Sequence, residues 1–138
     1  MILLDTSGLL AALDASQSHH ARAAASLDAA PPPLLLSPFV LAELDYLIAS
    51  RIGAAARGSL LKEVERGAYL LETMTGADVA RAHAVIKRYA DLQISLADAS
   101  IVVLAERHRV RDALTLDERH FRVLMAGGKP FRLLPADD

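Results

Sequence analysis

Short apolar runs of three or four residues recur along this chain, and turn-forming residues border them. The first run, Met1–Leu4, is followed directly by Asp5-Thr6-Ser7-Gly8. A run of this length between turn formers is typical of a strand that is buried on both faces, as in a parallel sheet. The same pattern predicts further strands at Leu34–Leu36, Tyr69–Leu71, Ala113–Thr115 and Phe131–Leu134.

Longer segments of helical character lie between these strands. Ser37-Pro38 marks a clear helix start, because serine is a preferred N-cap and proline fits the first helical position. Strands that alternate with helices form parallel βαβ units, so the sequence predicts an α/β fold with three layers, α/β/α, around a mainly parallel sheet of about four or five short strands. The predicted helices cover Leu9–Leu13, Ser16–Ala30, Ser37 to about Arg51, Ala54–Arg66, Gly76 to about Asp91, and Ser95–Arg107.

The composition fits a single globular domain and excludes several other classes of protein. A chain of 138 residues has the usual size of one domain, here 1–138 without a linker. Hydrophobic residues make up 53% of it, which excludes intrinsic disorder, and the lack of cysteine excludes disulfides and thiol chemistry. No apolar run reaches the roughly 18 residues of a membrane span, and no basic segment opens a signal peptide. We therefore expect a soluble, cytoplasmic protein that does not bind membranes.

Four acidic residues occupy unusual places in this pattern. Asp5 ends the first predicted strand, and Asp117 follows the fourth. Asp98 lies in the first turn of the last predicted helix, and Glu43 lies at the margin of the apolar face of the third. In a parallel sheet, the carboxyl ends of the strands and the helix N-termini share one edge. We therefore expect Asp5, Asp98 and Asp117 to converge there, with Glu43 about 9 Å along its helix and pointing back toward that edge.

Carboxylates gathered around one partly buried site repel one another, and each raises the pKa of its neighbours. A hard divalent cation relieves that repulsion. Ligation by oxygen atoms alone favours Mg²⁺ or Mn²⁺ over zinc, so we expect one or two such ions. The hydroxyls of Thr6, Ser7 and Thr115 are candidates to orient the carboxylates.

Each acid also has a purely structural alternative. Asp98 follows Ser95 by three positions, as in a capping box. Asp5 could cap the helix that follows it, Asp117 could be a turn residue, and Glu43 could pair with an arginine. Because these alternatives leave the gathering of four acids at one edge unexplained, we favour a shared site. The five histidines are interpreted as surface or helix-end residues.

The sequence around these acids resembles that of PIN domains, and within them the VapC-type ribonuclease toxins of bacterial toxin–antitoxin pairs. The similarity extends from residue 1 to about residue 134. It implies that the four acids form the acidic quartet of the family, with Thr6 and Thr115 as polar neighbours. The segments that carry the resemblance are Met1–Leu10, Ala42–Leu44, Leu96–Ala99 and Thr115–Phe121.

For function, the resemblance implies a Mg²⁺- or Mn²⁺-dependent endoribonuclease that hydrolyses phosphodiester bonds in RNA as the toxin of a toxin–antitoxin pair. It also implies a homodimer, and a heterotetramer or larger assembly with a cognate VapB-type antitoxin. Between Arg107 and Arg132, seven basic residues stand against three acidic ones, and Arg107, Arg111 and Arg119 are candidates to bind RNA phosphates. The helices between residues 37 and 66 are candidates to bind an amphipathic antitoxin segment.

Two other classes of protein fit parts of the sequence. A receiver domain is also an α/β protein that binds Mg²⁺ through acids, and Lys129-Pro130-Phe131 is similar to its Lys-Pro pair. Against this class, Asp5 stands alone at the end of the first strand, and the Lys-Pro pair leads into a strand instead of a helix. The second alternative is a PIN-like binding module that keeps the fold without metal or catalysis.

Overall fold

The computed structural model describes residues 1–138 and contains a central sheet of five parallel strands in the order β3-β2-β1-β4-β7. A separate antiparallel hairpin is formed by β5 and β6. The predicted fold class is therefore confirmed, as a three-layer α/β fold with a mainly parallel sheet. The strands are β1 (Ile2–Leu4), β2 (Leu34–Leu36), β3 (Leu70–Leu71), β4 (Asp112–Leu114), β5 (Met125–Ala126), β6 (Lys129–Pro130) and β7 (Arg132–Leu134).

Six of the seven helices begin and end close to the predicted positions, with differences at the start of the first two. Leu9 N–H donates to the carbonyl of Asp5 at 3.0 Å, so the first helix begins before the predicted Leu9. The second begins after the predicted Ser16, because the Asp14 carboxylate accepts from the N–H and hydroxyl of Ser16 and holds a turn there. The helices are α1 (Thr6–Leu13), α2 (His20–Ala29), α3 (Pro38–Arg51), α4 (Ala54–Glu65), α5 (Gly76–Arg88), α6 (Leu96–His108) and α7 (Glu118–Phe121).

The segment between β4 and β7 contains structure that the sequence analysis did not predict. The short helix α7 follows Asp117, and the hairpin of β5 and β6 turns at Gly127 and Gly128. Both glycines have positive φ, 57° and 74°, which matches the two-residue turn that right-twisted hairpins prefer. A Gly-Gly pair between apolar residues is the signal that would have predicted this turn.

The strand order places a functional edge between β1 and β4. The chain adds β2 and β3 on one side of β1, and then crosses to add β4 and β7 on its other side. At such a reversal of strand order, the connections after the two central strands diverge and leave a crevice at their carboxyl ends. Asp5 follows β1 and Thr115 follows β4, so both lie at the mouth of this crevice.

Gly8 allows α1 to lie directly on the end of β4. A Cβ at this position would stand 2.3 Å from the carbonyl oxygen of Leu114 and 2.7 Å from the nitrogen of Thr115. These are backbone atoms of the sheet, so they cannot move aside as a flexible side chain would. A side chain at Gly8 would therefore push α1 away and separate Asp5 from the residues that follow β4.

A buried hydroxyl pair fixes α3 against α6. Ser37, the N-cap of α3, lies 2.7 Å from the hydroxyl of Ser100, and Ser100 also donates to the carbonyl of Ala97. Both serines are buried, at 1% and 0% exposure, so the contact sets the distance between the two helices. None of the helices combines the length and the apolar character that crossing a bilayer requires.

Candidate active site

A cleft of about 380 Å³ opens at the carboxyl edge of the sheet, and the four predicted acids line it. Asp5 reaches it from the end of β1, and Asp117 from the residues that follow β4. Asp98 comes from the first turn of α6, and Glu43 from the second turn of α3. The fold thus brings together four carboxylates from four separate segments of the chain.

Asp5 is the most deeply buried of these acids, with 4% of its surface exposed. The hydroxyls of Ser7 and Thr115 donate to its Oδ2 at 2.6 and 2.7 Å. Burial outweighs these hydrogen bonds and raises the pKa of Asp5 to about 6, and the negative charge of Asp98 adds to the rise. Neither hydroxyl contacts Oδ1, so that oxygen can accept a ligand.

The same two hydroxyls tie the residues after β4 to the end of β1. Leu116 N–H donates to Ser7 Oγ, and Asp117 N–H donates to Thr115 Oγ1, each at 3.0 Å. The backbone that carries Asp117 is therefore fixed relative to Asp5. Thr6 differs from its neighbours, because its hydroxyl is buried at the same cleft and has no hydrogen-bond partner in the protein.

Asp98, Asp117 and His120 form a compact cluster of potential metal ligands. Each of them offers one ligand atom, and these atoms lie within 4.8 Å of one another. His120 Nδ1 is 2.8 Å from Asp117 Oδ2 and 3.7 Å from Asp98 Oδ2. Burial raises the pKa of Asp98, and the nearby charge of Asp117 raises it further, while the hydrogen bond from the Ser95 N–H and the proximity of His120 oppose the rise.

The structural alternatives apply to some of these acids and fail for others. Asp98 does complete a capping box with Ser95, and Asp117 does accept from His120 N–H as the N-cap of α7. Asp5 occupies the N-cap position of α1 but makes no capping hydrogen bond with its side chain. Glu43 is exposed and forms no ion pair with an arginine. Capping therefore accounts for the local geometry of two acids, and leaves the burial of Asp5 without a structural reason.

The architecture and this site agree with one family of proteins. The family model of the PIN domain matches residues 2–124. The chain belongs to the PIN domain family. It is 42% identical to ribonuclease VapC26 of Mycobacterium tuberculosis strain H37Rv over an alignment of 135 residues. This alignment covers 97% of the present chain and 100% of the relative. Membership of this family removes the receiver-domain alternative.

Two solved structures are similar to this PIN domain. VapC20 of Mycobacterium tuberculosis, described as a toxin that cleaves the sarcin-ricin loop, superimposes with a TM-score of 0.79 over 85% of this chain and 90% of its own. Its sequence identity is 23%, so this similarity concerns the fold. FitAcB from Neisseria gonorrhoeae matches with a TM-score of 0.53 and 25% identity over 79% of this chain and 83% of that chain.

Six residues that the sequence analysis did not assign to the cleft of this PIN domain also line it, and three of them offer side chains suited to chemistry or binding: Arg51, Gln93 and His120. Arg51 follows Glu43 by eight positions on α3, with Leu47 between them, and a spacing of four residues keeps all three on one helix face. His120 follows Asp117 by three positions, which is also a neighbouring spacing on a helix. These two spacings are the sequence patterns from which Arg51 and His120 could have been assigned to the cleft. His120 lies in the last turn of α7, as its interpretation as a helix-end residue requires, and it also lines the cleft beside Asp117.

The predicted RNA-binding arginines do not line the cleft of the PIN domain. Arg107 lies about 13 Å from Asp98 along the axis of α6, because nine residues separate them. It pairs with Asp78 at 2.8 Å and donates to the carbonyl of Thr73 at 2.9 Å. Arg111 precedes β4 at the opposite edge of the sheet, and Arg119 is exposed on α7. Contact of these arginines with RNA stays a prediction, and for Arg107 and Arg111 it requires a second binding surface.

Proposed function

We propose that this PIN domain is a metal-dependent endoribonuclease and the toxin of a toxin–antitoxin pair. The meeting of Asp5, Asp98 and Asp117 in one cleft at the switch point of the sheet carries the proposal. Gathering and burying like charges destabilises a fold, so the arrangement indicates a functional site. The 42% identity to a named ribonuclease over essentially the whole chain supports RNA as the substrate.

The donor atoms of the cleft fit Mg²⁺ or Mn²⁺, which prefer carboxylate oxygens. Asp98 and Asp117 place ligand atoms within 4.8 Å of each other, and Asp5 offers an oxygen that no hydroxyl contacts. The unpartnered Thr6 hydroxyl lines the same cleft and is suited to the water that such an ion carries. We assign these three aspartates to holding one or two ions, with Glu43 completing the set from α3.

When bound, such an ion lowers the pKa of a water molecule and neutralises charge on the attacked phosphate. The protein holds its carboxylates in place and positions the proton acceptor. Glu43 is exposed and free of ion pairs, so it can take the proton of the attacking water. His120 contacts Asp117 and orients it. The Ser7 hydroxyl donates to Asp5 and accepts from Leu116 N–H, so it positions the Asp5 carboxylate.

The composition of the cleft indicates how RNA is recognised. No aromatic residue lines it, so base stacking contributes little. Arg51 is its only arginine or lysine, and it is placed to contact a phosphate beside the acids. Side chains cannot read the deep major groove of an RNA duplex, so we expect the substrate to be single-stranded or looped RNA.

Cleavage assays with and without chelator test the proposed activity. We expect the purified protein to cut single-stranded RNA with Mg²⁺ or Mn²⁺, to stop in EDTA, and to recover when the ion is restored. Asp5→Asn should abolish cleavage, because it removes a charged ligand and keeps the side-chain shape. Asp28→Asn, a matched change at an exposed acid on α2, should leave it unchanged.

Two outcomes of this assay contradict the proposal. Cleavage that resists the chelator shows that the ion is not required. Cleavage that survives in Asp5→Asn, once contaminating nuclease has been excluded, removes the catalytic role of the cleft. If no RNA is cut and Mn²⁺ causes neither a heat change nor a thermal shift, the protein is the metal-free binding module.

We further propose that the antitoxin binds an apolar groove of about 280 Å³ that α3 and α4 form with Leu13 and Tyr69. Ile52 is 45% exposed at this groove, and Glu63 lines it too, so an amphipathic helix with a basic residue fits it. Ile52→Asp should abolish co-purification with the antitoxin, and Leu61→Asp, at an exposed leucine of α4 outside the groove, should not. Equal retention by both variants would place the antitoxin elsewhere. The homodimer, and the heterotetramer or larger assembly with this antitoxin, belong to the same proposal.

A further inference from the structure

We infer that the edge of the sheet opposite the carboxylates binds the ribose–phosphate backbone of RNA. The inference rests on the proposed function, because it names a second contact for the same substrate. The surface is a cleft of about 510 Å³, here named the basic cleft, between the end of α6, the connection to β4 and the β5–β6 hairpin. Its polar and charged lining residues are Glu106, Arg109, Arg111 and Lys129.

Three of the seven basic residues at 107–132 are paired with neighbouring carboxylates, and the basic cleft contains three of the four that are not; the fourth, Arg119, is exposed on α7. Arg109, Arg111 and Lys129 form no ion pair, and all three line the basic cleft. One acid, Glu106, stands against these three cations, and its carboxylate accepts from Gly127 N–H at 3.4 Å. Ion pairs already occupy Arg107 with Asp78, Arg122 with Asp137, and Arg132 with Asp112.

The backbone holds these cations in place. Arg109 ends α6 in a left-handed conformation, with φ 55°, and turns the chain toward β4. On the other side, the turn at Gly127 and Gly128 returns the hairpin so that Lys129 pairs with Ala126. Ala126 is buried against α6, so the hairpin cannot swing away from the helix. Two independent elements therefore present positive charge to one cleft.

The shape of this surface fits a polymer better than a small anion. A second depression of about 550 Å³ adjoins the basic cleft and shares Arg109 and Arg111 with it. The two depressions form a continuous track along the amino edge of the sheet, in which Arg109, Arg111 and Lys129 are the unpaired cations, while Arg132 in the second depression is paired with Asp112. Only alanine and glycine accompany the charged residues in the basic cleft, so it has neither the apolar pockets that anchor a peptide nor aromatic rings that stack on bases. Phosphates are the groups that such a track recognises.

The two clefts lie at opposite ends of α6. Asp98 and Arg109 are eleven residues apart, which is about 16 Å along the helix axis. A dinucleotide has a single phosphodiester and cannot occupy both clefts at once, whereas a longer RNA can follow the surface between them. The basic cleft therefore affects the binding of long RNA and leaves the cutting of a very short one unchanged.

Salt-dependent binding tests the inference. Fluorescence anisotropy with a labelled single-stranded RNA of about 20 nucleotides is measured in EDTA, so that no ion recruits phosphate to the carboxylates and no RNA is cut. We compare the wild-type protein with the double variant Arg111→Gln/Lys129→Gln. Each lost phosphate contact should reduce the slope of log K against log salt by about 0.7, so the double variant should lose about 1.4 of slope and roughly 10- to 30-fold of affinity at 0.1 M salt.

Two control variants test whether the loss of RNA binding comes from Arg111 and Lys129 or from the change in net charge. Lys62→Gln/Arg66→Gln removes two charges from exposed positions in the last turn of α4 and directly after it, and it should leave the slope within error of the wild type. Arg111→Lys/Lys129→Arg should keep wild-type binding, because it preserves both charges. An unchanged slope in the Gln variant, or an equal loss in the α4 control, overturns the inference. Poly-glutamate that displaces RNA and depends on the same two residues also overturns it, and identifies an acidic protein segment as the occupant.

A cleavage measurement distinguishes failure of the inference from failure of the proposed function. With Mn²⁺, wild type and the Gln variant should cut a dinucleotide with the same kcat/KM, while the variant shows a raised KM for the long RNA at unchanged kcat. Loss of activity on both substrates in the variant contradicts a separate backbone-binding surface. If the wild type cuts neither RNA, the nuclease proposal fails while the binding data still decide whether the basic cleft holds RNA.

Discussion

Helices α5 and α6 begin with the same local structure, yet their acids lie in opposite electrostatic surroundings. Thr75 and Ser95 are the N-caps, and each hydroxyl accepts from the N–H of the acid three positions later. Those acids, Asp78 and Asp98, accept in return from the N–H of their cap, at 2.9 and 3.1 Å. By sequence pattern and by backbone geometry, the two capping boxes are equivalent.

The neighbours of the two boxes make them different. The hydrogen bond from the Thr75 N–H and the guanidinium of Arg107 lower the pKa of Asp78 to about 2. Burial raises the pKa of Asp98, and the approach of Asp117 adds to that rise. An acid that is surrounded by cations stabilises the fold, whereas an acid that faces other acids across a cleft destabilises it. The motif identifies a helix start, and the surrounding charge identifies a functional site.

The largest expected consequence is a difference in catalysis. Asp98→Asn should lower the rate of RNA cleavage by at least about 100-fold, because it removes a charged metal ligand while asparagine can still accept from the Ser95 N–H. Asp78→Asn makes the same chemical change in the equivalent box and should keep near wild-type activity with a lower melting temperature. Initial rates and thermal melts of both variants provide the comparison.

An equal loss of activity in Asp98→Asn and Asp78→Asn would contradict the proposed difference between the two acids, because a shared capping role would then explain both losses. The proposed difference is also contradicted if Asp98→Asn melts well below Asp78→Asn. Relief of repulsion in the cleft should instead leave the metal-free Asp98→Asn variant at least as stable as the wild type.

The carboxylates could be predicted from the sequence because their position depends on one topological rule. Asp5 and Asp117 follow strands, and parallel strands that feed helices must expose their carboxyl ends at one edge. That rule needs only the approximate limits of the strands, and short apolar runs supply them. Asp98 follows from the same rule, since the serine cap marks where α6 begins at that edge.

Pairing between distant side chains could not be predicted in this way. The basic segment at 107–132 is uniform in the sequence, but contacts with Asp78 and Asp137 neutralise Arg107 and Arg122 and leave Arg111 free. The close packing at Gly8 is equally hidden, because the atoms that exclude a side chain belong to β4, more than a hundred residues away. These features depend on the relative placement of whole elements, which no local pattern encodes.

A smaller effect that sharpens the comparison is the pH dependence of stability in the presence of chelator. Unfolded Asp5 titrates near 3.8 and folded Asp5 near 6, so between these values the folded state binds more protons and loses stability as the pH rises. The loss should amount to about 2 kcal/mol from about pH 4 to about pH 6, and Asp98 acts in the same direction. Asp78 acts in the opposite direction, and its contribution is lost only as the pH falls toward 2.

Urea unfolding at several pH values within this range measures these contributions. Because all other groups titrate alike in each protein, the difference from the wild type isolates the substituted acid. Asp5→Asn should remove most of the decline in stability, Asp98→Asn should reduce it, and Asp78→Asn should leave its slope unchanged. A decline in Asp5→Asn that equals or exceeds that of the wild type would show that burial at the cleft does not hold a proton on Asp5. The capping boxes of Asp78 and Asp98 would then still have different neighbours, but the cleft beside Asp98 would hold no electrostatic repulsion for a metal ion to relieve.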